Sequence, residues 1–242
     1  MNNFLDGMKK SIPICIGYFV VSFTFGIYCK NIGIGPITSV IISLTNLSSA
    51  GQFGGVEIIA KEASLIELAL VVLVINLRYV LMSISLSQHL EDNTRFIDKM
   101  IFSFAITDEI YALAIKEKKK INAKFMFGMM ILPILGWTLG TLVGALASNI
   151  MSERLVNAFS IALYAMFISA ICPDMVKSIK ITCVIIFAVV ISCTLFYAPF
   201  LNEHISFGFK IIITTILVCT LAALIFPIKE EEKEKEEEEC TI

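Results

Sequence analysis

Three ionisable residues sit where an apolar chain has least use for them: Arg78 within "VVLVINLRYVLMSISL", and the adjacent Asp108 and Glu109 within "MIFSFAITDEIYALAI". Arg78 lies ten residues before Gln88, where its apolar run ends. In a helix that is about 15 Å, half of a hydrocarbon core of roughly 30 Å. A guanidinium at that depth costs from about 3 to more than about 10 kcal/mol in lipid, so it requires a carboxylate or a water-filled cavity. If 89–97 is a short turn between antiparallel spans, Asp108 lies ten residues past residue 98, at the depth of Arg78, and Glu109 points to a neighbouring face. One carboxylate meets an arginine in a bidentate fork, and a second at low dielectric is then favoured to take up a proton. That is a chemical basis for proton coupling at Asp108 or Glu109. The alternative is a buried ion pair that only fixes helix register.

Two further groups accompany the charges. Asn76, Tyr79 and Ser83 recur at spacings of three and four and share one helical face, while Arg78 and Ser85 share another, so this span is expected to be enclosed by protein. Asn76 and Tyr79 are either pathway residues or interhelical hydrogen-bond partners. In "SSAGQFGG" (48–55), Gly51 and its neighbours loosen the helix around Gln52. A helix interrupted in the membrane frees backbone N–H groups, and its half-helix N-terminus can receive a carboxylate. A glycine-lined packing face is the alternative. Glu57, one turn before Lys61, reads as half of an interfacial ion pair.

The elements that must position these groups follow from composition. Of 242 residues, 57% are hydrophobic and 17% charged, and the mean hydropathy is +0.84, which excludes an ordinary soluble domain. Apolar windows place spans at about 11–29, 36–60, 65–88, 98–115, 124–149, 155–172, 179–198 and 207–227. The fold class is therefore an all-α polytopic membrane protein of about eight transmembrane helices, with one or more spans interrupted. The fourth segment, with acids at its centre, has a re-entrant form as its alternative, and a count of seven would follow from losing it. With eight, thirteen of the Lys and Arg residues fall on the cytoplasmic side and five outside, which sets the N-terminus cytoplasmic. Residues 1–228 form a single transmembrane domain, and 229–242, with eight acids and three lysines, a disordered cytoplasmic tail.

Gly136, Gly140, Gly144 and Ser148 recur every four residues, a seam of small side chains for close helix packing. Pro13/Gly17 and Pro133/Gly136 echo each other without establishing a repeat. Seven cysteines without a C-x-x-C pair suggest neither a zinc site nor a disulfide framework. The sequence lacks H-E-x-x-H, G-x-S-x-G and Walker A motifs, so nothing points to an enzyme, a cofactor, a metal or a nucleic acid.

"SSAGQFGG", then "INLRYVLMSISL", then "FAITDEIYAL", in this order and spacing between residues 48 and 113, resemble the AzlC/BrnF family, the large subunit of bacterial branched-chain amino-acid exporters. The second half agrees mainly in hydropathy and in "GWTLG". The resemblance implies a secondary exporter of branched-chain amino acids in the bacterial cytoplasmic membrane. It implies a drive from the proton motive force and a small four-span partner of the AzlD/BrnE type. By motif match, Gln52, Asn76, Arg78, Asp108 and Glu109 are the family's characteristic polar positions. The family usually carries histidine after the arginine, where this chain has Tyr79, so a proton relay here falls to Asp108 or Glu109. Readings of a different class are a membrane scaffold subunit, in which the charged trio fixes register, and a solute channel.

Overall fold

The computed structural model describes residues 3–117, 119–148, 150–151, 178–198 and 205–227, with scattered positions between 154 and 176. Among them the elements are helices: α1 (Phe4–Asn31), α2 (Pro36–Thr45), α3 (Ser49–Ala60), α4 (Leu65–His89), α5 (Phe96–Ala105), α6 (Asp108–Ile115), α7 (Ala123–Ala147), α8 (Ile179–Tyr197) and α9 (Phe207–Ile225). Five of these, α1, α4, α7, α8 and α9, are long and apolar enough to cross a bilayer, as expected of an all-α polytopic membrane protein. The expected span 155–172 falls largely, and the tail 229–242 entirely, outside the described residues.

Two expected spans are not continuous helices. The segment 36–60 is α2 and α3, of 10 and 12 residues, with a break at Asn46–Leu47–Ser48, and 98–115 is α5 and α6, of 10 and 8 residues, with a break at Ile106–Thr107. Each half is about 12–18 Å long and spans only part of a core of roughly 30 Å. Cap residues cause both breaks: the Ser48 hydroxyl accepts from Gly51 N at 3.1 Å, and the Thr107 hydroxyl from Ile110 N at 3.4 Å. Each starts a new helix instead of letting the old one continue.

The chain divides into two compact units, residues 1–53 with 76–163 and residues 54–75 with 164–240. The first is framed by α1 and α7. A methyl group built on Gly128, Gly136, Gly140 or Gly144 of α7 would run into the α1 backbone at Phe4, Cys15, Phe19 and Phe23 respectively, and one on Gly26 of α1 into the backbone of Thr141. Both series ascend together, so the two helices run parallel with their backbones in contact. Lipid supplies no hydrophobic drive for helix association, and such close approach provides dispersion contacts in its place. The glycine seam is thus a packing face, as its spacing indicates.

The direction of the remaining elements is fixed by their contacts with this frame. The Lys10 and Glu117 side chains form an ion pair, so α1 and α7 begin at the same end. The end of α4 lies there too: Leu90 bridges Ile121, Glu91 N donates to Ile121 O at 3.0 Å, and Lys120 meets Asp92 at 2.6 Å, holding that carboxylate below its usual range. The segment α5–α6 therefore starts and finishes at one end. At the other end, Gly33 in the left-handed region (φ 85°) closes α1, and Pro36 opens α2 five residues after Asn31. Phe53 of α3 then lies at 5.0 Å from Phe25 and 5.8 Å from Tyr28, near the end of α1. Both broken segments are hairpins of two short helices.

In the second unit, Glu67 is buried, and its Oε1 accepts from Ser206 Oγ at 2.7 Å and Gly208 N at 2.6 Å, capping α9. The dipole of α9 favours the carboxylate there. Lys61 lies 3.7 Å from the Phe207 ring centroid and pairs with Glu57 at 3.3 Å, as the spacing of those two residues indicates.

Candidate functional site

The tips of the two hairpins meet in the first unit around a cavity of about 170 Å³. Its polar wall includes Asn46, Ser48, Asn76 and Tyr79, and its apolar wall Leu47, Phe104 and Ile106. A cavity of about 150 Å³ holds a benzene molecule, so this space suits a small ligand.

Arg78 Nη1 lies 2.9 Å from Asp108 Oδ2, the pairing that depth arithmetic indicates. Its Nη2 donates to Tyr79 Oη at 3.1 Å, and Tyr79 donates to Ser48 Oγ at 3.3 Å. A continuous chain of polar contacts therefore runs from the first turn of α6, through two consecutive residues of α4, to the cap of α3. Gly51 faces Asn76: a methyl carbon built there would lie 3.0 Å from both Asn76 Oδ1 and Ser48 Oγ. Glycine at this position lets the amide and the cap close on the helix start.

Glu109 stands apart from its neighbour. Its carboxylate and the Thr107 hydroxyl both hydrogen-bond the Tyr18 phenol of α1, and no cation lies within ion-pair distance among the described residues. A phenol has one proton, so donation to Glu109 leaves Thr107 as donor to Tyr18. Adjacent carboxylates thus have different partners, a guanidinium for Asp108 and a neutral phenol for Glu109.

Gln52 does not line the cavity. Its Oε1 accepts from Ser43 Oγ and Trp137 Nε1, both at 3.2 Å, while Ser43 contacts Thr141 at 2.7 Å. It ties α3 to α2 and α7. Among the described residues the second half of α4 is not enclosed: Leu77, Val80, Leu81 and Ile84 form an exposed apolar stripe, and the Arg78 and Asp108 side chains are 44% and 42% exposed. The site also contains Ser48, Thr107 and Tyr18, which pattern reading passes over. The signal for the first two is local, a Ser or Thr opening a helix, with Asp and Glu in the first turn after Thr107. For Tyr18, 89 residues from Thr107, no local signal exists.

A family profile described as AzlC protein matches residues 13–151, which is more than half of the chain and includes every residue of this site. The chain belongs to the AzlC family. It is 29% identical over 150 residues to inner membrane protein YgaZ of Escherichia coli (strain K12), covering 60% of this chain and 61% of YgaZ. An uncharacterized membrane protein of Archaeoglobus fulgidus is 27% identical over 174 residues, 71% of this chain and 76% of that one. One from Helicobacter pylori (strain J99) is 30% identical over 156 residues, with coverage of 62% and 68%. No solved structure matches. These AzlC relatives are membrane proteins, in keeping with the apolar helices here and with a role connected to membrane transport.

Proposed function

We propose that this protein is a proton-coupled secondary transporter that exports branched-chain amino acids across the cytoplasmic membrane with a small four-span partner. The observation that carries the reading is the meeting of two broken helices at one cavity, with the Arg78–Asp108 pair tying α6 to α4 next to Tyr79, which lines it. Irregular backbone at membrane depth is tolerated where it lines such a cavity, and half-helix ends are where transporters hold charged groups. Asp108, paired with Arg78, and Glu109, hydrogen-bonded to the Tyr18 phenol, are the two carboxylates of the proposed coupling step. The partner is supported by the half-exposed Arg78–Asp108 pair, which lipid alone would leave unsolvated.

In the proposed topology 36–60 and 96–115 are re-entrant hairpins, one from each side, and α1, α4, α7, 155–172, α8 and α9 cross. Lysine and arginine bias supports this arrangement. Fourteen then fall on the cytoplasmic side, including Arg95 and Lys99, and Lys30, Lys61, Arg154 and Lys210 outside. Both termini remain cytoplasmic, and the acidic tail 229–242 lies there.

The test is export from cells loaded with a leucine-containing dipeptide, with and without expression of this chain and its partner. Expression should lower intracellular leucine, and a proton uncoupler should remove the effect. If intracellular leucine, isoleucine and valine are unmoved by the pair, the exporter reading fails. Flux that persists undiminished with the uncoupler indicates a channel.

A further inference from the structure

We infer that the second half of α4 is the docking surface for the small membrane partner, which lays a membrane-spanning helix there and presents an uncharged hydrogen-bonding side chain, an amide or a hydroxyl, to Arg78 and Asp108. This rests on the partner of the transport reading and goes beyond it in naming the surface and the chemistry that covers it. Leu77, Val80, Leu81 and Ile84 are 53%, 55%, 71% and 56% exposed. On a helix of 3.6 residues per turn they fall within one stripe about 100° wide. Arg78, three residues before Leu81 and near the middle of the 25-residue α4, borders that stripe and reaches Asp108 at 2.9 Å. All six residues lie in the first unit.

The surface combines two features that suit different solvents. Lipid covers the stripe, but a guanidinium and a carboxylate that are 44% and 42% exposed at mid-depth are expensive to leave against hydrocarbon. Water covers the pair, but an aqueous cavity here would wet four large aliphatic side chains in a row, surface that is favourable to remove from water. Protein covers both at once. A second helix packs its apolar side chains on the stripe and sets one polar side chain at its border.

The pair also selects that side chain. Arg78 and Asp108 neutralise each other, so a further charge beside them would itself be unpaired. What remains open is hydrogen bonding. Of the five N–H groups of a guanidinium, one meets Asp108 Oδ2 and one donates to Tyr79, which leaves three. Asp108 Oδ1 accepts from no donor among the described residues. A group that both donates and accepts matches this remainder, as amides and hydroxyls do. A second copy of this chain on the same face would bury four charges at one depth, where a neutral side chain leaves two.

The experiment puts the photo-cross-linking residue p-benzoylphenylalanine in place of Leu81 in the full chain, in cells that also express the tagged small four-span protein. Light should give a product of this chain with the small protein. Mapping should place the attachment on a membrane-spanning segment with an amide or hydroxyl side chain, and no charged one, within a turn. Ile84→Trp, a bulky change at an exposed position, should lower recovery of the small protein with this chain about tenfold or more and leave the melting temperature of the chain alone unchanged. A product of two copies of this chain, no protein product, a charged residue at the attachment, or full recovery with Ile84→Trp each overturns the assignment. Leucine export by the pair separates this from the transport reading. Export without the cross-link removes the surface and keeps transport, and the cross-link with intracellular leucine, isoleucine and valine unmoved keeps the surface and removes transport.

Discussion

The two hairpins have the same plan and opposite electrostatics. Each is a pair of short helices broken by a capped turn. Yet the first turn of α3 carries Ser48, Ser49, Ala50 and Gly51, and that of α6 carries Thr107, Asp108 and Glu109. A helix N-terminus presents about half a positive charge. In α6 that charge is neutralised by the helix's own carboxylates, one tied to Arg78 and the other to Tyr18. In α3 it is left open beside the cavity. One tip carries no acidic residue in its first turn, and the other holds two. On the proposed transport function, substrate binding falls to the α3 tip and proton handling to the α6 tip, two copies of one structural device joined through Arg78, Tyr79 and Ser48.

If the hairpins enter from opposite sides, sidedness gives an all-or-none test. In a background without native cysteines, Glu91→Cys and Lys119→Cys should both react with an impermeant maleimide from the cytoplasmic side only, and Glu62→Cys from the outside only. Labelling of Glu91→Cys and Lys119→Cys from opposite sides would restore 96–115 as a through-span and end the comparison.

The division of labour predicts the next largest effects. Arg78→Ala and Asp108→Asn should each lower export about a hundredfold or more, since each strands the other charge at membrane depth. Export that returns in the double variant would make the pair a register device only. Glu109→Gln should behave differently, because it keeps the bond to Tyr18 and loses only the titratable proton. Leucine counterflow in proteoliposomes should persist, while accumulation driven by a pH gradient should be lost. Equal loss of both would remove Glu109 from the coupling step.

Arg78 and Asp108 were legible because depth along a helix is linear in residue number. The four-residue glycine repeat was legible because it is local to α7. The course of the two hairpins was not, since a hydropathy window weighs composition and is blind to direction. Gly51 and its neighbours and the acids 108–109 mark both windows as irregular, and the caps, Ser48 before Gly51 and Thr107 before Asp108–Glu109, place the new helix starts within them. Gln52 shows a different limit. A buried amide at a helix break suits a ligand or a neighbour equally well, and only the fold supplies Trp137, 85 residues away.

A smaller effect tests the α3 tip by itself. Gly51→Ala places a carbon 3.0 Å from Asn76 Oδ1 and Ser48 Oγ, closer than side chains normally allow, so the amide or the cap must give way by a few tenths of an ångström. On the proposed function leucine binding should weaken about three- to tenfold, with little change in thermal stability, because Gly51 packs on Asn76 and Ser48 and not on the α1–α7 frame. An unchanged affinity would place the substrate away from the α3 tip.

The smallest effect separates the tips through their caps. Thr107→Ala removes the hydroxyl that accepts from Ile110 N and contacts Tyr18. A lost N-cap costs about 1 kcal/mol, and in a chain of this size lowers the melting temperature by about 2–4 °C. Because Asp108 and Glu109 still neutralise the start of α6, the helix should persist, and leucine affinity at the α3 tip should be unchanged. What should move is the pH dependence of transport, since Tyr18 loses one of the two groups that hold it against Glu109. A Thr107→Ala protein with altered leucine affinity and an unaltered pH profile would assign the substrate to the α6 tip and reverse the division proposed between the two hairpins.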